Sequence, residues 1–473
     1  MSNILKQGHN REKCQKFTPP QIVNEMLNLI GYSNELFGKK VLEYSFGTGN
    51  ILVAIVNRYI SDAINRGFSN DMIAKGLSSD IYGIELDEEL FSGCVERLNT
   101  LTREKSIPSV QWQLFCTDTL RWGDRDSFDY VIGNPPYISY HDIDNDNRVY
   151  LREKFKTCKT GKFDYCYAFI EKGLSLLSSS GKMCLLVPSN IYKNVYAHTL
   201  REHLRSGLIE LREYPNNQLF GDTLTSSSIF LFDKARMLDS IRYVNATDNV
   251  KMVIKKEQLG NKWVFFKRED SQKKRLRFGD FFSASIAVAT LLNEAFIIKD
   301  ETANHIEHEC TKIAAAPRTL RLRKEERIIF PYYYDQSDRL CKYSEDEFSH
   351  KFPLTYTYLK QFKEKLSKRD ADKMARWYEY GRSQALGHLH QEKLLMSTII
   401  TTSVELYRLG VDCIPYSGII ITVKNQKKTL DDANAILKSA HFFEYAMSIG
   451  ISINGKSKRI SCKDINNYMF EEV

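Results

Sequence analysis

Between Lys39 and Lys234 short apolar runs alternate with longer stretches of helical periodicity. "KKVLEYS" precedes "GNILVAIVNRYISDAINRG", "DIYGIEL" precedes "DEELFSGCVERLNTLTREK", and "GKMCLLVP" precedes "YAHTLREHLRSG". "SVQWQLFCTD", "FDYVIGN", "LIELREYP" and "SSSIFLFDK" add further strands, and "KFDYCYAFIEKGLSLL" a further helix. Few folds accept this order of elements. It predicts an open, doubly wound, Rossmann-like α/β sheet that receives ligands at the carboxyl ends of its strands. After about residue 240 the alternation stops. Short strand-like runs then mix with Lys and Arg, and aromatics interleave with polar residues in "RIIFPYYYDQ" and "RWYEYGRSQ". We therefore expect two domains, an α/β domain over 1–240 and a mixed α+β domain over 241–473.

Charge divides at the same place. Residues 1–240 hold 28 Lys+Arg against 29 Asp+Glu, a net −1, while residues 241–473 hold 39 against 30, a net +9. Such asymmetry hints at contact with nucleic acid or a membrane surface. No apolar run approaches the ~18 residues of a membrane helix, which removes membrane spans from the expectation. The opening "MSNILKQGHNREKC" is too polar for a secretory signal. The ten cysteines form no C-x-x-C pair, so neither a zinc site nor a disulfide framework is expected, and a reducing cytoplasm fits.

Three strand ends outline a pocket for a nucleoside. "VLEYSFGTGNIL" is strand, glycine turn and helix start, where Gly47 and Gly49 let a ligand approach the backbone. "YGIELDEE" ends the next strand in Glu85, an acid placed to take both hydroxyls of a ribose. The alternative is that Glu85 and Asp87 cap the following helix. Glu85 lies 36 residues beyond Gly49. A dinucleotide site expects about 20, with a third glycine, which argues against NAD. "FCTDTL" puts Asp118 at the end of a third strand, a side chain for the amino group of a base.

The fourth strand empties into "VIGNPPYISY". Asn134 supplies a carbonyl acceptor and Pro135 a second one from its backbone, in a loop stiffened by consecutive prolines. Tyr137 offers a flat face. Two acceptors and a ring suit a planar molecule bearing an exocyclic NH₂. The lone pair of such a nitrogen is delocalised, and acceptors on its hydrogens favour a pyramidal nitrogen that turns the lone pair toward an electrophile.

These motifs, in this order over about residues 14–234, resemble the gamma-class DNA adenine-N6 methyltransferases, the group typified by TaqI and Eco57I-type enzymes. "KFTPPQIVNEML" looks like the leading motif, whose threonine, here Thr18, helps hold the methionine end of S-adenosylmethionine. "EYSFGTGNIL", "YGIELDEEL" and "FCTDTL" look like the cofactor motifs, and "NPPY" like the catalytic one. Glu43-Tyr44-Ser45-Phe46 replace the family's usual Asp-Pro-Ala-Cys, with Glu43 keeping the acid. "QLFGDTLTSSSIFLF" resembles a later motif, and the resemblance implies that Phe220 stacks on the target base opposite Tyr137.

The resemblance implies a site-specific methyltransferase acting on N6 of an adenine flipped from duplex DNA. It would be the modification enzyme of a restriction-modification system, in company with a cognate restriction endonuclease where one exists, and with 241–473 as the target-recognition domain. No metal is expected. Two alternatives stay open: an N-P-P-Y methyltransferase acting on RNA or a protein glutamine, and a non-catalytic DNA-binding module on a decayed methyltransferase fold.

Overall fold

The computed structural model describes residues 17–123, 127–214, 226–246, 249–265, 275–298, 306–382, 385–453 and 457–471. The chain divides into two compact units, one of residues 1–268 with 451–455, the other of 269–450 with 456–473.

The first unit is built on a nine-stranded sheet. Its strands are β1 (Val41–Glu43), β2 (Ile81–Glu85), β3 (Gln113–Cys116), β4 (Phe128–Gly133), β5 (Leu177–Pro188), β6 (Leu208–Tyr214), β7 (Ser227–Asp233), β8 (Ser240–Asn245) and β9 (Lys251–Lys255). Their spatial order is 3-2-1-4-5-7-6-8-9. The pairs β3–β2, β2–β1, β1–β4 and β4–β5 are parallel, and β7 enters antiparallel between β5 and β6. The helices are α1 (Pro20–Ile30), α2 (Asn50–Asn65), α3 (Asn70–Asp80), α4 (Glu88–Glu104), α5 (Asn145–Lys154), α6 (Cys166–Leu176) and α7 (His198–Arg205).

The strands read as apolar runs because both faces of the sheet are covered. Val41, Ile81, Ile132 and Cys184 point into one core with α1 to α4, while their neighbours Leu42, Tyr82, Val131 and Leu185 point into the other with α6 and α7. This is the two-residue side-chain period of a strand used twice. In α2, Ile51, Leu52, Ile55, Val56, Tyr59 and Ile60 are buried at helical spacing.

The strand order reverses between β1 and β4, and a doubly wound sheet opens its ligand crevice at that point. The unit runs beyond the expected limit at 240 because β8 pairs parallel to β6 and β9 pairs antiparallel to β8. These two strands have exposed outer positions, so their sequence lacks the apolar run that marks the central ones.

The second unit is mixed α+β, as expected. Strands 282–286, 419–423, 393–396 and 406–409 form one antiparallel sheet, and 297–298, 326–329, 311–315 and 414–415 form a mixed one, in which 414–415 pairs parallel to 311–315. Aromatic residues such as Phe348, Tyr378 and Tyr380 fill its interior. No helix among the described residues is long and apolar enough to cross a membrane.

Candidate active site

A pocket of about 610 Å³ open volume lies at the carboxyl ends of β1, β2 and β4. Of the residues singled out by sequence, Thr18, Glu43, Gly47, Glu85, Asn134, Pro135 and Tyr137 line it together. They come from positions up to 119 residues apart, and the sheet order is what joins them.

Each is held by identifiable bonds. Glu85, at the end of β2, accepts the Gly47 N–H on Oε2 at 2.8 Å, and the Leu86 and Asp87 N–H groups on Oε1 at 2.8 and 2.9 Å. Its carboxylate therefore fixes the glycine turn as well as facing the pocket. The helix-capping alternative falls to its neighbour: Asp87 accepts from Glu89 and Leu90 at the start of α4.

Gly49 has φ 81°, and a Cβ there would lie 2.2 Å from Cys94 Sγ. Only glycine fits where α2 starts this close to α4. Gly49 works behind the pocket, whereas Gly47 lines it.

Asn134 donates from Nδ2 to Thr18 Oγ1 at 3.2 Å, a bond spanning 116 residues, and this orients its Oδ1 as an acceptor. Its backbone carbonyl accepts the Ser45 hydroxyl at 3.2 Å. Tyr137 lines the pocket, while its hydroxyl is buried toward Ser227. Burial holds that phenol well above its ordinary range.

Glu43 is 1% exposed, and its Oε2 has no hydrogen-bond partner among the described residues. Burial first, then the nearby Glu85, pushes its carboxyl well above the usual carboxylate range. A buried acid of this kind gains most from an incoming cation.

Sequence reasoning missed several lining residues. Phe17, Ser45, Thr48, Asn50 and Leu90 also face the pocket. Asn50 ties it to the leading segment by donating to the Thr18 carbonyl at 3.2 Å. Arg97 donates to the Thr48 carbonyl, and to Asn50 Oδ1 at 3.2 Å. Ser45 and Asn50 stood inside the quoted "EYSFGTGNIL", so the signal was present in the motif. Nothing marks Arg97 in the sequence, because its partner is reached only through the packing of α4 on α2.

Asp118 is not brought into this pocket. It accepts the Leu120 N–H at 2.9 Å and pairs with Arg121 at 3.2 Å, as a turn residue does. Phe220 lies outside the described residues.

Residues 48–220 match the family model described as Eco57I restriction-modification methylase. The type II methyltransferase M.BstVI of Geobacillus stearothermophilus is 30% identical over 200 residues, 40% of this chain and 36% of that protein. M.AccI of Acinetobacter calcoaceticus is 26% identical over 270 residues, 56% of this chain and 45% of that protein. The match thus spans less than half the length of either relative. Among solved structures, the type IIL restriction-modification enzyme MmeI in complex with DNA has the same fold. Its TM-score is 0.62 at 13% identity, over 95% of this chain and 64% of that one.

The cofactor of such a methylase is S-adenosylmethionine, and the residues present fit it. Its methionine end carries an ammonium beside a sulfonium, for which the pocket offers the buried Glu43 Oε2. Its ribose carries two hydroxyls, which the Glu85 carboxylate can accept. Gly47 leaves the turn open to close approach, with Phe17 the nearest side chain at 3.8 Å from where a Cβ would sit.

Proposed function

We propose that this chain, whose residues 48–220 match the model of the Eco57I restriction-modification methylases, methylates N6 of an adenine flipped out of duplex DNA. The modification partner of a restriction system is the role we assign to it. The observation that carries this reading is that Asn134, Pro135 and Tyr137 line the same pocket as Glu43, Gly47 and Glu85. An amino group held by the first set lies beside whatever the second set binds.

S-adenosylmethionine supplies the electrophile, a methyl group on a sulfonium sulfur. The chain does the positioning. Thr18 fixes the Asn134 amide, so Oδ1 accepts one hydrogen of the target NH₂ and the Pro135 carbonyl is placed for the other. Two acceptors in a stiff loop raise the nucleophilicity of the nitrogen and set its line of attack, so catalysis is orientation and fixed dipoles. The Tyr137 ring holds the extruded base by its face. Stacking of about 1–3 kcal/mol offsets part of an extrusion cost of a few kcal/mol.

Two features favour N6 of adenine in DNA over a glutamine amide: the aromatic platform, and the net charge of +9 over residues 241–473. Transfer of a labelled methyl group to plasmid DNA, followed by nucleoside analysis, tests the reading. N6-methyladenine is the expected product. Asn134→Ala should reduce its formation to a few per cent or less while leaving cofactor binding nearly intact. N4-methylcytosine, or label in protein or RNA alone, would overturn the proposal.

A further inference from the structure

The positive charge of the second unit is not uniformly neutralised. Lys342 pairs with Glu379, Arg382 with Asp370 and Asp372, and Arg408 with Glu392 and Asp431. The segment "PRTLRLRK" (Pro317–Lys324) differs. Arg318, Arg321, Arg323 and Lys324 are all exposed, and none has an ion pair or side-chain hydrogen bond among the described residues.

The backbone beneath them is held in an unusual way. The short helix Pro317–Arg321 ends with the Lys324 N–H donating to the Thr319 carbonyl at 2.9 Å and the Arg323 N–H to the Leu320 carbonyl at 3.0 Å. This pairing places Arg323 at φ 54°, the left-handed position where helix stops favour glycine. An L side chain is strained there. Strain kept beneath an exposed and unpaired cation points to a use for that side chain.

A groove runs beside the same helix. Arg318, Arg321, Ser397, Thr401, Thr402 and Glu405 line it. Its hydroxyls can donate or accept. The Glu405 carboxylate, which accepts the Tyr407 hydroxyl at 2.7 Å, adds a fixed acceptor. Arg318 and Arg321 in this groove of hydroxyls, with Arg323 and Lys324 following on the same segment, suit a polyanion that presents polar edges between its charges.

We propose that segment 317–324 and the groove along 397–405 form a DNA-gripping surface of the second unit. The four cations take phosphates, and the hydroxyl loop meets the adjoining sugar and base edges. The inference rests on the reading of duplex DNA as substrate, and names the part of the second unit that holds it.

The test uses the full chain and a fluorescein-labelled DNA duplex of mixed sequence, with anisotropy measured over a range of salt. Combining Arg318→Ala, Arg321→Ala, Arg323→Gly and Lys324→Ala should raise the dissociation constant about tenfold or more. It should also flatten the log–log salt dependence by about 2–4, near 0.9 for each phosphate that is no longer neutralised. S-adenosylmethionine binding should not change. Arg323→Gly alone should melt at the same or a higher temperature, since glycine relieves the strain, and still bind DNA a few-fold more weakly. Lys365→Ala, which removes a cation paired with Glu294, should leave DNA binding unchanged.

A combined variant with the parent's affinity and salt slope would overturn the assignment, as would weaker binding to heparin with duplex binding intact. A parent chain that binds S-adenosylmethionine but no duplex at any salt would instead overturn the proposed function itself, and this surface with it.

Discussion

At the scale of single residues, Tyr137 and Glu43 show how burial divides the work of one side chain. Tyr137 lines the pocket, and its hydroxyl is buried toward Ser227. The hydroxyl therefore contributes little to holding a base. Tyr137→Phe should retain near-parental transfer, whereas Tyr137→Ala should lose roughly 5- to 150-fold, the rate equivalent of ~1–3 kcal/mol of stacking. A mismatched target adenine costs less to extrude and should recover part of the Tyr137→Ala deficit. Single-turnover methylation of matched and mismatched duplexes measures this, and a Phe variant as slow as the Ala variant would contradict the stacking account.

Glu43 makes the opposite use of burial. Its raised pKa means that the fold binds the proton more tightly than the unfolded chain does. That contribution to stability is complete below the unfolded value and is lost as pH rises through the folded one. Glu43→Gln should therefore melt above the parent at neutral pH, with the difference shrinking in acid. The same variant should bind S-adenosylmethionine about 10- to 100-fold more weakly, because a charged hydrogen bond worth about 1.5–3 kcal/mol is removed. A melting curve and a titration on the same sample read both signs.

At the scale of elements, the start of α2 decides whether the pocket exists. Gly49→Ala adds a Cβ at positive φ, in overlap with Cys94 Sγ. Left-handed strain and overpacking together should cost about 2–4 kcal/mol. Cys94→Ala in the same chain removes the overlapping sulfur and should recover part of that loss, the coupling expected of two residues that touch. Urea denaturation of the two single variants and the double variant measures it, and strict additivity would show that the packing of α2 on α4 is not what requires the glycine.

The same elements show what the sequence made legible. Of the strands from β1 to β7, all but the half-buried edge strand β3 were readable because burial on both faces makes each an apolar run. The glycine turn and N-P-P-Y were readable because their backbone demands restrict residue type. The strands β8 and β9 were not, since exposed outer positions erase that run. Asp118 reads as a pocket residue by its place at a strand end, yet the local turn and Arg121 hold it. The Thr18–Asn134 bond and the Arg97 brace depend on packing between distant segments, and no local pattern announces them.

At the scale of the whole molecule, the two kinds of charge answer to salt in different ways. The first half carries a net −1 and the second a net +9. Within the pocket, Glu43 and Glu85 are 1% and 5% exposed, so mobile ions reach them poorly and screen them little. The unpaired cations at 318–324 are exposed, and any phosphate they neutralise releases condensed counterions into solution. Raising salt from about 50 to 200 mM should therefore leave the dissociation constant for S-adenosylmethionine within about twofold. The same change should weaken duplex binding by roughly a hundredfold if about four phosphates are held, since each contributes a slope near 0.9. Calorimetric titration of the cofactor and anisotropy of a labelled duplex, run in the same buffers, make the comparison. Parallel loss of both affinities would mean that one charge distribution serves both ligands, and would contradict the separation of a screened surface from an unscreened pocket.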